Sequence, residues 1–123
     1  VEPYLVASVE RNGETVYEAQ AKSTGRIMSE KTAEKLKGYL RNNVQTIYGD
    51  GHFPGLSVCA KSGTSQLGGG QKSNAMFAGF LADENYPLAF IVVVENGGYG
   101  SAACVPVLSQ ILPVCKAELD QQR

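Results

Sequence analysis

The sequence predicts an α+β fold, an antiparallel sheet with helices packed on it, and three observations carry that prediction. Short apolar segments recur at 56–60, 75–82 and 88–95, with polar or glycine-rich connections between them. Those connections, Ser65 to Ser73 with Gly68-Gly69-Gly70 and Asp83 to Pro87, are of hairpin type. Two other stretches, after Ser29 and from about Ser101, repeat apolar residues at helical spacing instead.

Taken in order, Leu5 to Val9 and Glu14 to Glu18 flank Arg11-Asn12-Gly13 and read as an N-terminal hairpin. Ser29 can cap a helix whose first turn holds Glu30, and Ala33, Leu36, Leu40 and Val44 then fall on one face. That stripe is expected to be core, with Lys31, Glu34, Lys35, Lys37 and Arg41 on the solvated side. Pro54-Gly55 is a turn signal before Leu56 to Ala60, the first strand of the sheet. The two following segments, 75–82 and 88–95, are apolar enough to predict burial on both faces. The second helix should present Cys104, Leu108, Ile111 and Leu112 to the core; Pro106 is tolerable in its first turns, and Pro113 is expected to end or bend it.

At the end of the first sheet strand stands Lys61-Ser62-Gly63-Thr64. Lysine supplies a point charge with three donors, Ser62 and Thr64 supply hydroxyls, and Gly63 has no side chain to keep a ligand from the backbone N–H groups. Together they can hold a carboxylate. Strict alternation opposes this, because it sends Ser62 and Thr64 to one face and Lys61 to the other. An edge strand resolves the conflict if the long lysine curls over its rim. From the residues alone a second reading stands beside it: a solvated Lys61 next to a glycine bulge.

With its surroundings the chain resembles the C-terminal part of the transpeptidase domain of penicillin-binding proteins, whose fold is shared with serine β-lactamases. Lys61 to Thr64, followed by Ser65-Gln66, stands as that family's K-[ST]-G-[TS] motif. Phe77-Ala78-Gly79-Phe80 is similar to its aromatic-x-Gly-Phe strand, Ile91 to Glu95 to its hydrophobic strand ending in an acid, and Ala102-Ala103 to Leu112 to its closing helix. Glu2 to Val6 and the helix after it fit the preceding segment, so the resemblance spans most of the chain. The same family chemistry needs a nucleophilic serine in S-x-x-K and a second motif of S-x-N type. No serine here has Lys three positions later or Asn two positions later, and no tyrosine has Asn two positions later. The expectation is that residues 1–123 are a C-terminal segment of a transpeptidase domain whose other two motifs lie upstream.

The resemblance implies a parent enzyme that cross-links peptidoglycan stem peptides at D-Ala-D-Ala through an acyl-enzyme and is acylated by penicillins. It would work at the extracytoplasmic face of a bacterial cell membrane, anchored upstream. Carried over residue by residue, the Thr64 backbone N–H becomes one oxyanion-hole donor. Lys61 binds the substrate or β-lactam carboxylate and supports proton transfer, while the Ser62 and Thr64 hydroxyls complete the anion site. Gly63 permits close approach, and Gln66 stands at the cleft rim. The same motif would serve a serine β-lactamase, a β-lactam sensor, or a non-catalytic module that binds peptide carboxylates. Segments apolar on both faces also imply cover from the upstream part or from a second copy.

Composition excludes other classes. The chain is long enough for one domain or part of one, at 123 residues and 43% hydrophobic. With 11 basic against 12 acidic residues and no basic cluster, nothing suggests a nucleic-acid partner. No apolar run reaches the roughly 18 residues of a membrane span, and no signal-peptide pattern opens the sequence. Cys59, Cys104 and Cys115 lack metal-site spacing and read as buried structural thiols, Cys59 being also a candidate reactive thiol two residues before Lys61. His52, in a glycine-rich loop, reads as a solvated residue, and no metal or cofactor is expected.

Overall fold

The computed structural model describes residues 2–122, which divide into a first unit ending at Glu30 and a second beginning at Lys31. In the first unit, strands β1 (Ser8–Arg11) and β2 (Glu14–Glu18) pair antiparallel from Ser8↔Glu18 to Arg11↔Glu14. Asn12 and Gly13 close the hairpin with φ of 55° and 82°. Two positive φ values in succession are the type I′ turn that matches strand twist, which is why Asn-Gly sits there. The first strand begins at Ser8 rather than Leu5, although Ala19 N–H still donates to Ala7 C=O at 2.7 Å.

Helix α1 (Glu30–Asn43) starts directly after Ser29. Its apolar stripe is not core along its whole length: Ala33 and Leu36 are exposed, Leu40 is half-buried, and Val44 is fully buried. Helical spacing is present, but only the C-terminal end of the helix meets the sheet. There the chain widens into a π-helical turn, Val44–Tyr48, closed by Gly49 N–H to Val44 C=O at 2.9 Å. Gly49 leaves it at φ 89° and leads into a 3₁₀ turn, Asp50–His52. Arg41, expected to be solvated, is drawn inward instead. Its guanidinium grips both Asp50 carboxylate oxygens, at 2.5 and 2.7 Å, and donates to Val58 C=O at 3.2 Å.

The sheet comprises β3 (Val58–Ser65), β4 (Asn74–Leu81) and β5 (Ala89–Val94) in that order, antiparallel throughout. The Lys61 to Thr64 motif lies on β3, toward its C-terminal end as expected, paired from Lys61↔Ala78 to Thr64↔Ala75. Helix α2 (Gly100–Gln121) packs on one face of this sheet through Cys104, Val105, Leu108 and Leu112. Ile111 is exposed, contrary to the predicted stripe, and Pro113 does not end the helix, which runs on to Gln121. By length and composition 100–121 is long and apolar enough to cross a membrane, which amends the expectation from the sequence; here one of its faces is buried on the sheet.

Beneath α2 the core joins Val58, Ala60, Ala75, Phe77 and Leu81 of the sheet to Val44, Tyr48, Phe53 and Leu56. The opposite face is not buried as predicted. Along β5 exposure alternates, with Ile91 and Val93 on the open side and Phe90, Val92 and Val94 packed toward the core. An apolar strand records what could be covered, and within this chain α2 covers one side. Gly79, in the middle of β4, allows the two strands to pack: a Cβ there would lie 2.1 Å from Cys59 C=O and 2.9 Å from Ala60 Cα.

Candidate functional site

The outer edge of β3 is a row of backbone groups that β4 does not use. Left bare, such a row is a template for unwanted pairing. Side chains from α1 and the π-helical turn close it in sequence. Arg41 donates to Val58 C=O, Asn43 Nδ2 to Ala60 C=O at 3.4 Å, and the Tyr48 phenol oxygen accepts from Ser62 N–H at 3.1 Å. Lys61 folds back over the rim so that Nζ donates to Ser62 C=O at 2.7 Å. Because ladder direction alternates along a strand, Thr64 N–H and C=O face the same way as those of Ser62. No described side chain hydrogen-bonds them, so Thr64 offers an open, exposed backbone donor just beyond the capped carbonyls of 58, 60 and 62.

The two hydroxyls of the motif are also tied down from the protein side. Ser62 Oγ lies 3.0 Å from Tyr48 Oη, and Thr64 Oγ1 accepts the Gly100 N–H at 3.3 Å. Gly100 opens α2, where the first N–H groups lack helical partners, and Thr64 supplies one of them from another element. The approach is close: a Cβ on Gly100 would lie 2.3 Å from Gly63 C=O and 2.7 Å from Met76 C=O, so only glycine brings the helix start onto this strand pair. Positive helix-dipole potential thus lies beside Thr64. Lys61, Ser62 and Thr64 are therefore gathered at one rim despite alternation. A Cβ added at Gly63 would meet Met76 Cβ at 3.4 Å, and Gln66 is exposed just beyond the strand.

Electrostatics at the rim follow from these contacts. Burial alone would push the Tyr48 phenol up, but its hydrogen bonds with Ser62 and the charge of Lys61 outweigh it and leave the group below its usual range. The Cys59 thiol is pushed up by burial, against the pull of Arg41 and Lys37, and is fully buried, which suits a structural thiol and not a nucleophile. Cys104 is likewise buried and raised, whereas Cys115 is only partly buried. His52 is exposed, as expected, and lines a hollow of about 190 Å³ with Ile47, Tyr48 and Ser101. Among the described residues no cluster of metal-ligand type occurs.

Tyr48 and Gly100 had no motif to announce them. The signal available was indirect: a tyrosine one helical turn after the stripe residue Val44, and a glycine directly before the predicted second helix. Neither pattern specifies a partner 14 or 36 residues away.

Comparison with known proteins supplies the frame. A search of curated proteins gave no match. Among solved structures, the D,D-transpeptidase domain of a peptidoglycan glycosyltransferase from Eggerthella lenta is similar to this chain, with TM-score 0.65 and 28% identity over 84% of the chain. The chain spans 25% of the length of that structure's chain. Residues 1–113 match the family described as penicillin binding protein transpeptidase domain. With the motif strand, its capped edge and the closing helix in one arrangement, the chain belongs to the penicillin-binding protein transpeptidase domain family.

Proposed function

We propose that this chain supplies the K-S-G-T wall of an acyl-transfer site that acts on the D-Ala-D-Ala end of peptidoglycan stem peptides and reacts with penicillin. The observation that carries this reading is the rim of β3. There a lysine, two hydroxyls each anchored by a hydrogen bond, and one open backbone N–H lie together beside a helix start. Lys61 and the Ser62 and Thr64 hydroxyls hold the carboxylate of the stem peptide or β-lactam. Lys61 also supports proton transfer. Thr64 N–H serves as one donor of the oxyanion hole, charge-stabilising the tetrahedral intermediate. Gly63 leaves room for the ligand backbone, and Gln66 contributes at the cleft rim.

Acyl transfer also needs a nucleophile, and no serine of these 123 residues has the lysine base three positions on. We assign the nucleophilic serine, its lysine and the S-x-N motif to a part of the protein outside this sequence. The same part would hold the anchor at the extracytoplasmic face of a bacterial cell membrane. The isolated chain is then inactive. Incubated with a fluorescent penicillin, it should show neither turnover nor covalent label, while the protein with its preceding segment should label stoichiometrically on a serine in that segment. Stoichiometric label on any serine of 1–123 would overturn the assignment. An unlabelled longer protein would favour a non-catalytic carboxylate-binding module, and rapid deacylation would favour a β-lactamase.

A further inference from the structure

Tyr48 is the one side chain that touches both the backbone and the hydroxyl of Ser62, and neither contact is required by the roles assigned above. Its oxygen accepts Ser62 N–H at 3.1 Å and stands 3.0 Å from Ser62 Oγ. The ring cannot swing away: it is 9% exposed and packs edge-on against Phe77, with centroids 5.0 Å apart at 81°.

We propose that Tyr48 is a positioning residue that turns the Ser62 hydroxyl into a hydrogen-bond donor toward the carboxylate of a bound stem peptide or β-lactam. A serine hydroxyl has one proton to give and two lone pairs, and so has a phenol. Ser62 N–H already occupies one lone pair of the phenol, which leaves the Tyr48 O–H free to donate to Ser62 Oγ. Ser62 then has its own proton left for an anion in front of the rim. With the opposite orientation Ser62 would spend its proton on Tyr48 and present a lone pair to the carboxylate, which repels it. The anion therefore selects a chain running from Ser62 N–H through Tyr48 O–H and Ser62 O–H to the carboxylate. Each link polarises the next. Thr64 is arranged the same way, since its oxygen accepts Gly100 N–H and its proton is unspent. In this scheme the rim offers two committed donors instead of two rotors.

This inference rests on the carboxylate-binding role of the rim proposed above, and the experiment separates the two. In the longer protein that carries the nucleophile, Tyr48→Phe keeps the ring and its contact with Phe77 and removes only the oxygen. The dissociation constant of the pre-covalent penicillin complex should rise about tenfold, the scale of one hydrogen bond to a charged group, with the limiting acylation rate nearly unchanged. Ser62→Ala, which leaves the phenol on the strand edge, should show a loss at least as large and stands as the second variant. In that background Tyr48→Phe should add nothing. Nor should Tyr48→Phe weaken binding of a penicillin whose carboxylate is esterified. Unchanged affinity in Tyr48→Phe would overturn the proposal. So would a loss that persists in the Ser62→Ala background, or an equal loss with the ester, since either would mean that Tyr48 merely holds the strand. If the unsubstituted protein binds the penicillin and its ester equally well, the carboxylate role of the rim fails, and this inference falls with it.

Discussion

Arg41 and Asp50 meet through two parallel hydrogen bonds, with side chains 22% and 40% exposed. The hydrogen bonds and charge of Arg41 hold the Asp50 carboxyl below the usual carboxylate range, outweighing the cost of burial. A depressed folded-state value stabilises the fold above the unfolded pKa, and that contribution fades as pH falls through the folded value. Asp50→Asn should therefore cost about 1 kcal/mol at pH 7, a modest figure because the pair is partly solvated, and the gap to the parent should close as pH falls through the depressed folded value. Urea melts of both proteins across that range test it; a gap of constant size would show that charge is not the source. The pair also shows what a helical wheel cannot read. Arg41 lies on the polar side of the α1 pattern, and its inward turn depends on a carboxylate nine residues on, in the 3₁₀ turn. Lys61 to Thr64 were legible as a string because their chemistry is local. Tyr48 was not, because its meaning lies wholly in what it touches.

At the scale of elements, β3 and β4 were legible as strands, and their closeness depends on Gly79. Gly79→Ala would bring a methyl against Cys59 C=O, the Phe90 ring and Ala60 Cα, two of them backbone atoms that cannot swing aside. Overpacking of this kind costs about 1–3 kcal/mol or more, so the denaturation midpoint should fall well below that of the parent. In the longer protein, penicillin labelling should fall with it, since β3 carries the motif. A variant with unaltered midpoint would mean the strands separate without cost. The sequence did not reveal how far each element is used. Spacing identifies an apolar stripe on α1 but not that only its end, at Val44, is covered. Pro113 is a helix stop in isolation, yet α2 passes through it: the turns before it are held on the sheet by Leu108 and Leu112, and beyond it Asp120 accepts the Tyr86 O–H at 2.9 Å.

At the scale of the whole molecule, the α+β arrangement agrees with what the apolar segments and turns foretold, and the match across residues 1–113 with the resemblance carried by Lys61 to Thr64 and the segments after it. Which sheet face stays open could not be foretold, because an apolar residue looks alike whether its cover lies in the same chain or elsewhere. Ile91 and Val93 are 63% and 50% exposed side by side on β5, with Ala78 exposed on β4. The isolated chain should accordingly bind a hydrophobic dye and associate as its concentration rises, and both effects should vanish once the upstream part of the protein is present. Light scattering that shows a dilution-stable monomer, with no dye uptake, would count against this.

The two borders of the sheet are unlike, and that has a consequence for assembly. Along β3 the outward carbonyls of residues 58, 60 and 62 and the Ser62 N–H are already taken by Arg41, Asn43, Lys61 and Tyr48, which leaves no continuous row for a long added strand. Along β5 the described residues provide no such row of side-chain caps. Growth of the sheet is thus directional: the border left for a further strand is that of β5, on the far side from the motif. On the proposed reading, a strand added at β5 and a ligand at the Thr64 rim would not compete for the same border.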